Sequence, residues 1–193
     1  KPGARLFDPD QKAFLCPCDG TISETGCLQE NRIFQAKGRN YSLHDLLADD
    51  PVCSQLANGY FATIYLAPRD YHRIHMPLGG HLQRMIHVPG KLFSVAPYTV
   101  RQIERLFARN ERLISIFDSD SGPLVIVMVG AMLVSSTETV WAGEVTAAKN
   151  KQVTVTDYAD KNISLNKGEE MGRFNMGSTV ILLMPSGTVE DQT

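Results

Sequence analysis

Cysteine is scarce in this sequence. Four cysteines in 193 residues (Cys16, Cys18, Cys27 and Cys53) are too few for a disulfide scaffold and lack paired C-x-x-C spacing. Reduced thiols in a cytosolic setting are therefore expected, and no zinc site is. Long apolar runs are missing too: Pro123 to Val129 and Val180 to Pro185 fall far short of the roughly 20 residues a membrane-spanning helix needs. A net charge of -2 excludes general nucleic-acid binding, which depends on excess Lys and Arg. There is no G-x-S-x-G elbow and no H-E-x-x-H pair, so neither an α/β-hydrolase nor a zincin is indicated. No signal peptide, internal repeat, low-complexity tract or linker is visible. Lys1-Pro2-Gly3, with no initiator Met, reads as the middle of a longer protein.

What remains is an ordinary globular composition, 43% hydrophobic and 21% charged, long enough for one domain with its own core. Strand signals recur about every ten residues: Ala13 to Cys18 before the Asp19-Gly20 turn, then Arg32 to Gln35, Tyr60 to Leu66 and His81 to Val88. Arg112 to Phe117 and Leu124 to Val134 flank Asp118-Ser119-Asp120-Ser121-Gly122, a hairpin with a longer loop. Thr137 to Val145, Gln152 to Thr156 and Val180 to Met184 complete the set. Two short helices are expected, one opened by Ser42 as N-cap and one over Val100 to Phe107, where apolar residues fall at helical spacing. Pro68 to Pro77 reads as a loop. The fold class is mainly β (α+β), an antiparallel sandwich or barrel-like domain with a few short helices.

The chemistry concentrates near the end of the chain. Gly177 and Ser178 stand at the mouth of the apolar strand Val180 to Met184. A strand that clamps Ser178, next to a glycine free to adopt strained geometry, allows the hydroxyl to attack its own peptide bond when a base is near. His72 and His75, three apart between prolines, suit acid/base work or metal ligation. A metal would have to recruit Asp70 or His81, and no ligand spacing supports it, so no metal is expected. Asp19, an ordinary turn residue alone, completes an Asp, His, Ser set. In it His75 takes the Ser178 proton, and Asp19 fixes the imidazole tautomer and stabilises its charged form.

Five stretches are longer and more specific than those residue types. They are Pro17-Cys18-Asp19-Gly20, Pro68-Arg69-Asp70-Tyr71-His72-Arg73-Ile74-His75-Met76-Pro77, Phe107-Ala108-Arg109-Asn110-Glu111-Arg112, Glu138-Thr139-Val140-Trp141-Ala142-Gly143 and Met176-Gly177-Ser178-Thr179. Together they resemble phosphatidylserine decarboxylase of the bacterial, membrane-associated type, from about Phe14 to Pro185. Met176 stands where Leu is common and Cys18 where an aliphatic residue is expected, and neither is a reacting group.

The resemblance implies a proenzyme that makes its own cofactor. Ser178, activated by His75 and Asp19, attacks the Gly177 carbonyl, and β-elimination of the resulting ester breaks the chain. Position 178 then becomes a pyruvoyl group, with loss of ammonia and gain of water. The products are a β chain, 1–177, and an α chain, 178–193, held together as a heterodimer. The pyruvoyl ketone takes the substrate amine as a Schiff base and accepts the electrons released with CO₂, turning phosphatidylserine into phosphatidylethanolamine. His72, matching the family's first loop histidine, is the expected acid for protonation at Cα or a substrate contact. The expected location is peripheral, on the cytoplasmic face of the bacterial cell membrane, and a homodimer stays open.

Between Arg69 and Arg112, seven arginines and Lys91 stand against three acids, Asp70, Glu104 and Glu111. If the second helix persists, Arg101, Arg105, Arg109 and Arg112 share one face, suited to an anionic membrane or simply to water. Two other functions fit the residue types: a triad serine hydrolase whose Ser178 stays a serine, and a non-catalytic β domain that binds acidic lipid.

Overall fold

The computed structural model describes residues 8, 10, 13–36, 38–132, 137–145, 152–175 and 178–188. Among them fourteen strands form: β1 Thr21–Cys27, β2 Arg32–Ala36, β3 Arg39–Ser42, β4 Tyr60–Tyr65, β5 Arg73–His75, β6 Gly80–Val88 and β7 Arg112–Ser119, followed by β8 Gly122–Val129, β9 Thr137–Thr139, β10 Gly143–Val145, β11 Thr154–Asp157, β12 Ser164–Leu165, β13 Glu170–Phe174 and β14 Thr179–Met184. Three short helices, α1 Leu43–Leu47, α2 Pro97–Val100 and α3 Leu106–Arg109, join them. The fold is mainly β, and every ladder between these strands is antiparallel.

The largest sheet runs β1-β4-β14-β8-β7-β6-β11, with β12 also on β6. A second sheet runs β10-β9-β13-β5, and β2-β3 is a separate hairpin. Strand β14 is interior, laddered to β4 on one side and β8 on the other, and all of its residues are buried. Its apolar run Val180–Met184 has no polar face because it has no solvent face, and each such side chain contributes about 1.5–3 kcal/mol by leaving water.

The two faces of the large sheet have different coverings. Phe117, Met85, Ile64 and Val180 share one face by strand alternation and register. There Trp141, from the β9–β10 turn, meets Phe117 edge-on at 5.7 Å and donates its indole N–H to Met85 Sδ at 3.4 Å. The small sheet thus covers that face. The other face carries Tyr65, Thr179, Ile181 and Arg112 and is covered by the β2–β3 hairpin and the helices.

Several expectations change. Ala13 to Cys18 forms no strand; Leu15 N–H and the Pro17 carbonyl instead bond to the backbone of Pro77 and His75. The expected loop between Pro68 and Pro77 contains β5. The Asp120-Ser121 hairpin is tight, since Ser119 lies opposite Gly122. The expected helix from Val100 to Phe107 is two separate turns, because Arg105 takes a left-handed conformation with φ of 54°. The arginine face therefore does not form. Arg105 pairs with Asp45 at 2.8 Å, and Arg109 lies over the Phe93 ring at 4.9 Å. Arg112 is buried and donates to the carbonyls of Asp45, Leu46, Ala108 and Asn110 at 2.7–2.9 Å. Burial, partly offset by nearby Tyr41 and Asp45, pulls its pKa down to about 10. It is a staple between the sheet and α1, not part of a membrane face.

Candidate active site

Ser178 stands one residue before β14 and extends its ladder: Leu66 N–H donates to the Ser178 carbonyl at 2.8 Å. Alternation puts its side chain on the face of Val180, under the small sheet, while Thr179 points to the opposite face. Ser178 is 0% exposed, and its Oγ is buried with no hydrogen-bond partner. A buried hydroxyl without a partner costs about 1–3 kcal/mol, so it calls for an explanation. Gly177 and Met176, the other side of the expected scissile bond, lie outside the described residues.

His75 ends strand β5, and His72 immediately precedes it. The His72 carbonyl accepts from Phe174 N–H at 3.0 Å, four residues before Ser178 in the chain. His72 Nε2 is buried without a hydrogen-bond partner. His75 is half-buried. Its Nδ1 lies 2.9 Å from the Gly168 carbonyl oxygen, and its Nε2 lies 3.3 Å from the Tyr71 hydroxyl. The Tyr71 ring stacks on the imidazole, with centroids 5.8 Å apart and planes at 17°. Ser178 and His75 are not hydrogen-bonded to one another in this structure.

Asp19 sits where two strands start. His75 N–H donates to the Pro17 carbonyl at 2.7 Å, and Thr21 opens β1 opposite Tyr65, which is also the partner of Thr179. Asp19 is the exposed residue between those two attachments. A Cβ on Gly20 would lie 2.5 Å from the Tyr65 carbonyl oxygen, so this turn admits only glycine. Cys18 is buried, and burial first, then nearby Cys16, Asp19 and Asp70, pushes its thiol pKa up, leaving it protonated and inert.

The ligands a metal would recruit are engaged elsewhere. Asp70 Oδ2 accepts from Ala67 N–H at 2.7 Å to close a turn, and His81 Nδ1 lies 2.7 Å from the Ser164 hydroxyl. Two partners of His75 escaped the sequence reading. Gly168 acts through a backbone oxygen, which leaves no trace in residue type. Tyr71 was visible in the His72–His75 stretch, but nothing marked its hydroxyl.

A mainly antiparallel β fold with a buried, partnerless serine at a strand mouth, and with His75 ending the short strand β5 that His72 precedes, defines a class of protein built around one internal hydroxyl. The comparisons narrow it. The family model for phosphatidylserine decarboxylase matches residues 1–193. A protein of Xylella fastidiosa (strain M12) named "Phosphatidylserine decarboxylase proenzyme" is 55% identical over 185 residues, covering 96% of this chain and 63% of its own length. One of the same name from Xanthomonas campestris pv. campestris (strain B100) is 53% identical over 187 residues, covering 97% of this chain and 66% of its own length. The chain belongs to the phosphatidylserine decarboxylase family and spans a little under two thirds of the first of these relatives.

Proposed function

We propose that this chain is the catalytic part of a self-processing phosphatidylserine decarboxylase, cut between Gly177 and Ser178 into 1–177 and 178–193. The observation that carries the reading is the fully buried, partnerless Ser178 hydroxyl at the mouth of an interior strand. An oxygen sealed from solvent is poorly placed for an external ester, which weighs against the hydrolase reading, and well placed for the peptide bond beside it. The Ser178 proton passes to His75 Nε2 as Oγ bonds to the Gly177 carbonyl carbon and the C–N bond breaks, giving an ester. Removal of the Ser178 Cα proton then breaks the Oγ–Cβ bond and frees the Gly177 carboxylate. Water replaces the nitrogen at Cα, which leaves as ammonia.

Residue 178, buried and with no hydrogen-bond partner for its Oγ, could carry a pyruvoyl group in place of the serine, and such a group would supply a carbonyl that draws off the electron pair left when CO₂ departs. The chain's own residues do the rest. His75 serves as base, with the Gly168 carbonyl holding its tautomer and Asp19 stabilising its charged form. His72, with a buried free nitrogen, holds the proton that the substrate Cα needs. The neighbouring strands β4 and β8 keep the 178–193 fragment docked. Among the described residues no helix is long and apolar enough to cross a membrane; attachment at the cytoplasmic face of a bacterial membrane is peripheral in this reading.

Intact mass of the denatured protein tests the proposal. Self-processing leaves two fragments that sum to the parent plus one water minus one ammonia. Fragments that sum to the parent plus one water, or a free amino-terminal serine on the small one, would overturn it.

A further inference from the structure

On the face of the large sheet opposite Ser178 lies a cavity of about 130 Å³. Thr179 and Tyr65 line its sheet side, and Val95, Pro97, Val100 and Phe107 supply an apolar wall. One buried side chain holds that wall in place. Gln35 donates to the carbonyls of Val100 at 2.8 Å and Ile103 at 2.7 Å and accepts from Leu106 N–H at 3.0 Å. The segment joining α2 to α3 is thus pinned over the cavity.

The side chains of Thr179, Glu24 and Arg101, all on the lining, have no hydrogen bond or ion pair among the described residues. Thr179 Oγ1 is buried, in a residue 1% exposed, and has no partner. Glu24 of β1 and Arg101, just past α2, both line the cavity, yet they pair neither with each other nor with another described group. Glu24 is half-buried, and that partial burial raises its pKa. Two opposite charges held apart across a partly apolar space are complementary to a ligand carrying both.

We infer that this cavity binds a zwitterionic phosphodiester with a primary ammonium group, its phosphate toward Arg101 and its ammonium toward Glu24. The requirement for two charges rests on Arg101 and Glu24 alone; the choice of a phosphodiester rests on the proposed function. The Thr179 hydroxyl donates to a phosphate oxygen, and the wall of Val95, Pro97, Val100 and Phe107 covers the glycerol carbons. A headgroup that keeps its carboxylate brings a second anion toward Glu24, so the cavity favours the decarboxylated headgroup.

The test is a calorimetric titration of the full chain carrying Ser178→Ala, in which no processed carbonyl can capture an amine. Soluble glycerophosphoethanolamine should bind saturably and more tightly than glycerophosphoserine, ethanolamine or inorganic phosphate. Arg101→Ala and Glu24→Gln should each weaken it about tenfold, the scale of one charge-assisted contact, with Arg101→Lys partly restoring it. Phosphate binding as tightly as the phosphodiester, or glycerophosphoserine binding more tightly, would overturn the inference, as would no saturable binding. If Arg101→Ala does not fold, Glu24→Gln decides alone. Vesicles of phosphatidylethanolamine separate a lipid source from a soluble one: vesicle binding that soluble glycerophosphoethanolamine displaces places the lipid headgroup in the cavity. Vesicle binding untouched by either substitution is surface adsorption and counts against it. Cleavage of the unsubstituted chain is scored separately, so failure of the processing reading and failure of this one are distinct results.

Discussion

His75 Nδ1 faces the Gly168 carbonyl oxygen at 2.9 Å, and a carbonyl can only accept. The proton of the neutral imidazole therefore sits on Nδ1, and the basic lone pair is on Nε2, beside the Tyr71 hydroxyl. A backbone oxygen performs the tautomer control that a carboxylate provides in many triads.

This separates the expected effects of two substitutions. His75→Ala removes the base, and cleavage at Gly177–Ser178 should slow by several orders of magnitude. Asp19→Asn keeps the tautomer through Gly168 and loses only charge stabilisation, so a loss of about ten- to a hundredfold is expected. Gel time courses of freshly made protein check this. Cleavage as fully blocked in Asp19→Asn as in His75→Ala would make Asp19 the true orienting group.

His72 and His75 should fail at different stages. His72→Ala is expected to cut itself normally and then decarboxylate about 10²- to 10⁴-fold more slowly, the usual worth of a general acid. Cleavage yield and CO₂ release, measured on the same sample, give both numbers. A cleavage defect equal to that of His75→Ala would mean that the β5 strand acts as one unit.

Gln35→Leu leaves two carbonyls and one N–H without their partner. Urea unfolding should show a loss of about 2–4 kcal/mol, the cost of stranding buried polar groups net of relaxation. A loss below about 0.5 kcal/mol would mean that the α2–α3 segment is held by other contacts.

The Glu24 carboxyl, raised by burial above its ordinary 4.5, makes stability depend on pH with a definite sign. The folded state keeps this proton longer than the unfolded one. The contribution is therefore complete below the unfolded value and fades as pH rises through the folded one. Glu24→Gln has no such proton, so its melting temperature relative to the parent should climb from about pH 4 to about pH 7. A difference that shrinks over that interval would show that Glu24 is stabilised as the anion, by a cation near it.

Apolar content made some elements legible and left others hidden. β7, β8 and β14 were readable because Val, Ile and Leu runs bounded by turn residues have few alternatives to a buried strand. The α1 start was readable because Ser42 does accept from His44 N–H, at 3.1 Å. β13 passed unseen: Glu170–Phe174 carries two charges and a glycine. Yet Gly172 is required there, since a Cβ would lie 2.4 Å from the Glu138 carbonyl oxygen. Its charges are paired across strands, Arg173 to Glu138 and Arg73 to Glu170, each at 2.6 Å. The Val100 to Phe107 helix failed because spacing carries no information about Gln35, a distant side chain that replaces intrahelical bonds. At the site, Ser178, His72, His75 and Asp19 were named from their motifs. The roles of Gly168, Arg101 and Glu24 depend on which segments the fold brings together.

The interior position of β14 also sets an order in time. β4 pairs with β1 and β8 with β7, but only β14 joins those two halves, and it is made after every other described strand. During synthesis the large sheet therefore waits as two halves, and Ser178 has no ladder until the final strand emerges and fills the gap. A hydroxyl that must be buried to react is thereby kept idle in the nascent chain. On the proposed function, the cut would then mark a finished fold: a chain that stalls or truncates before residue 179 leaves the β4 and β8 edges open to quality control and never gains the group that makes it active.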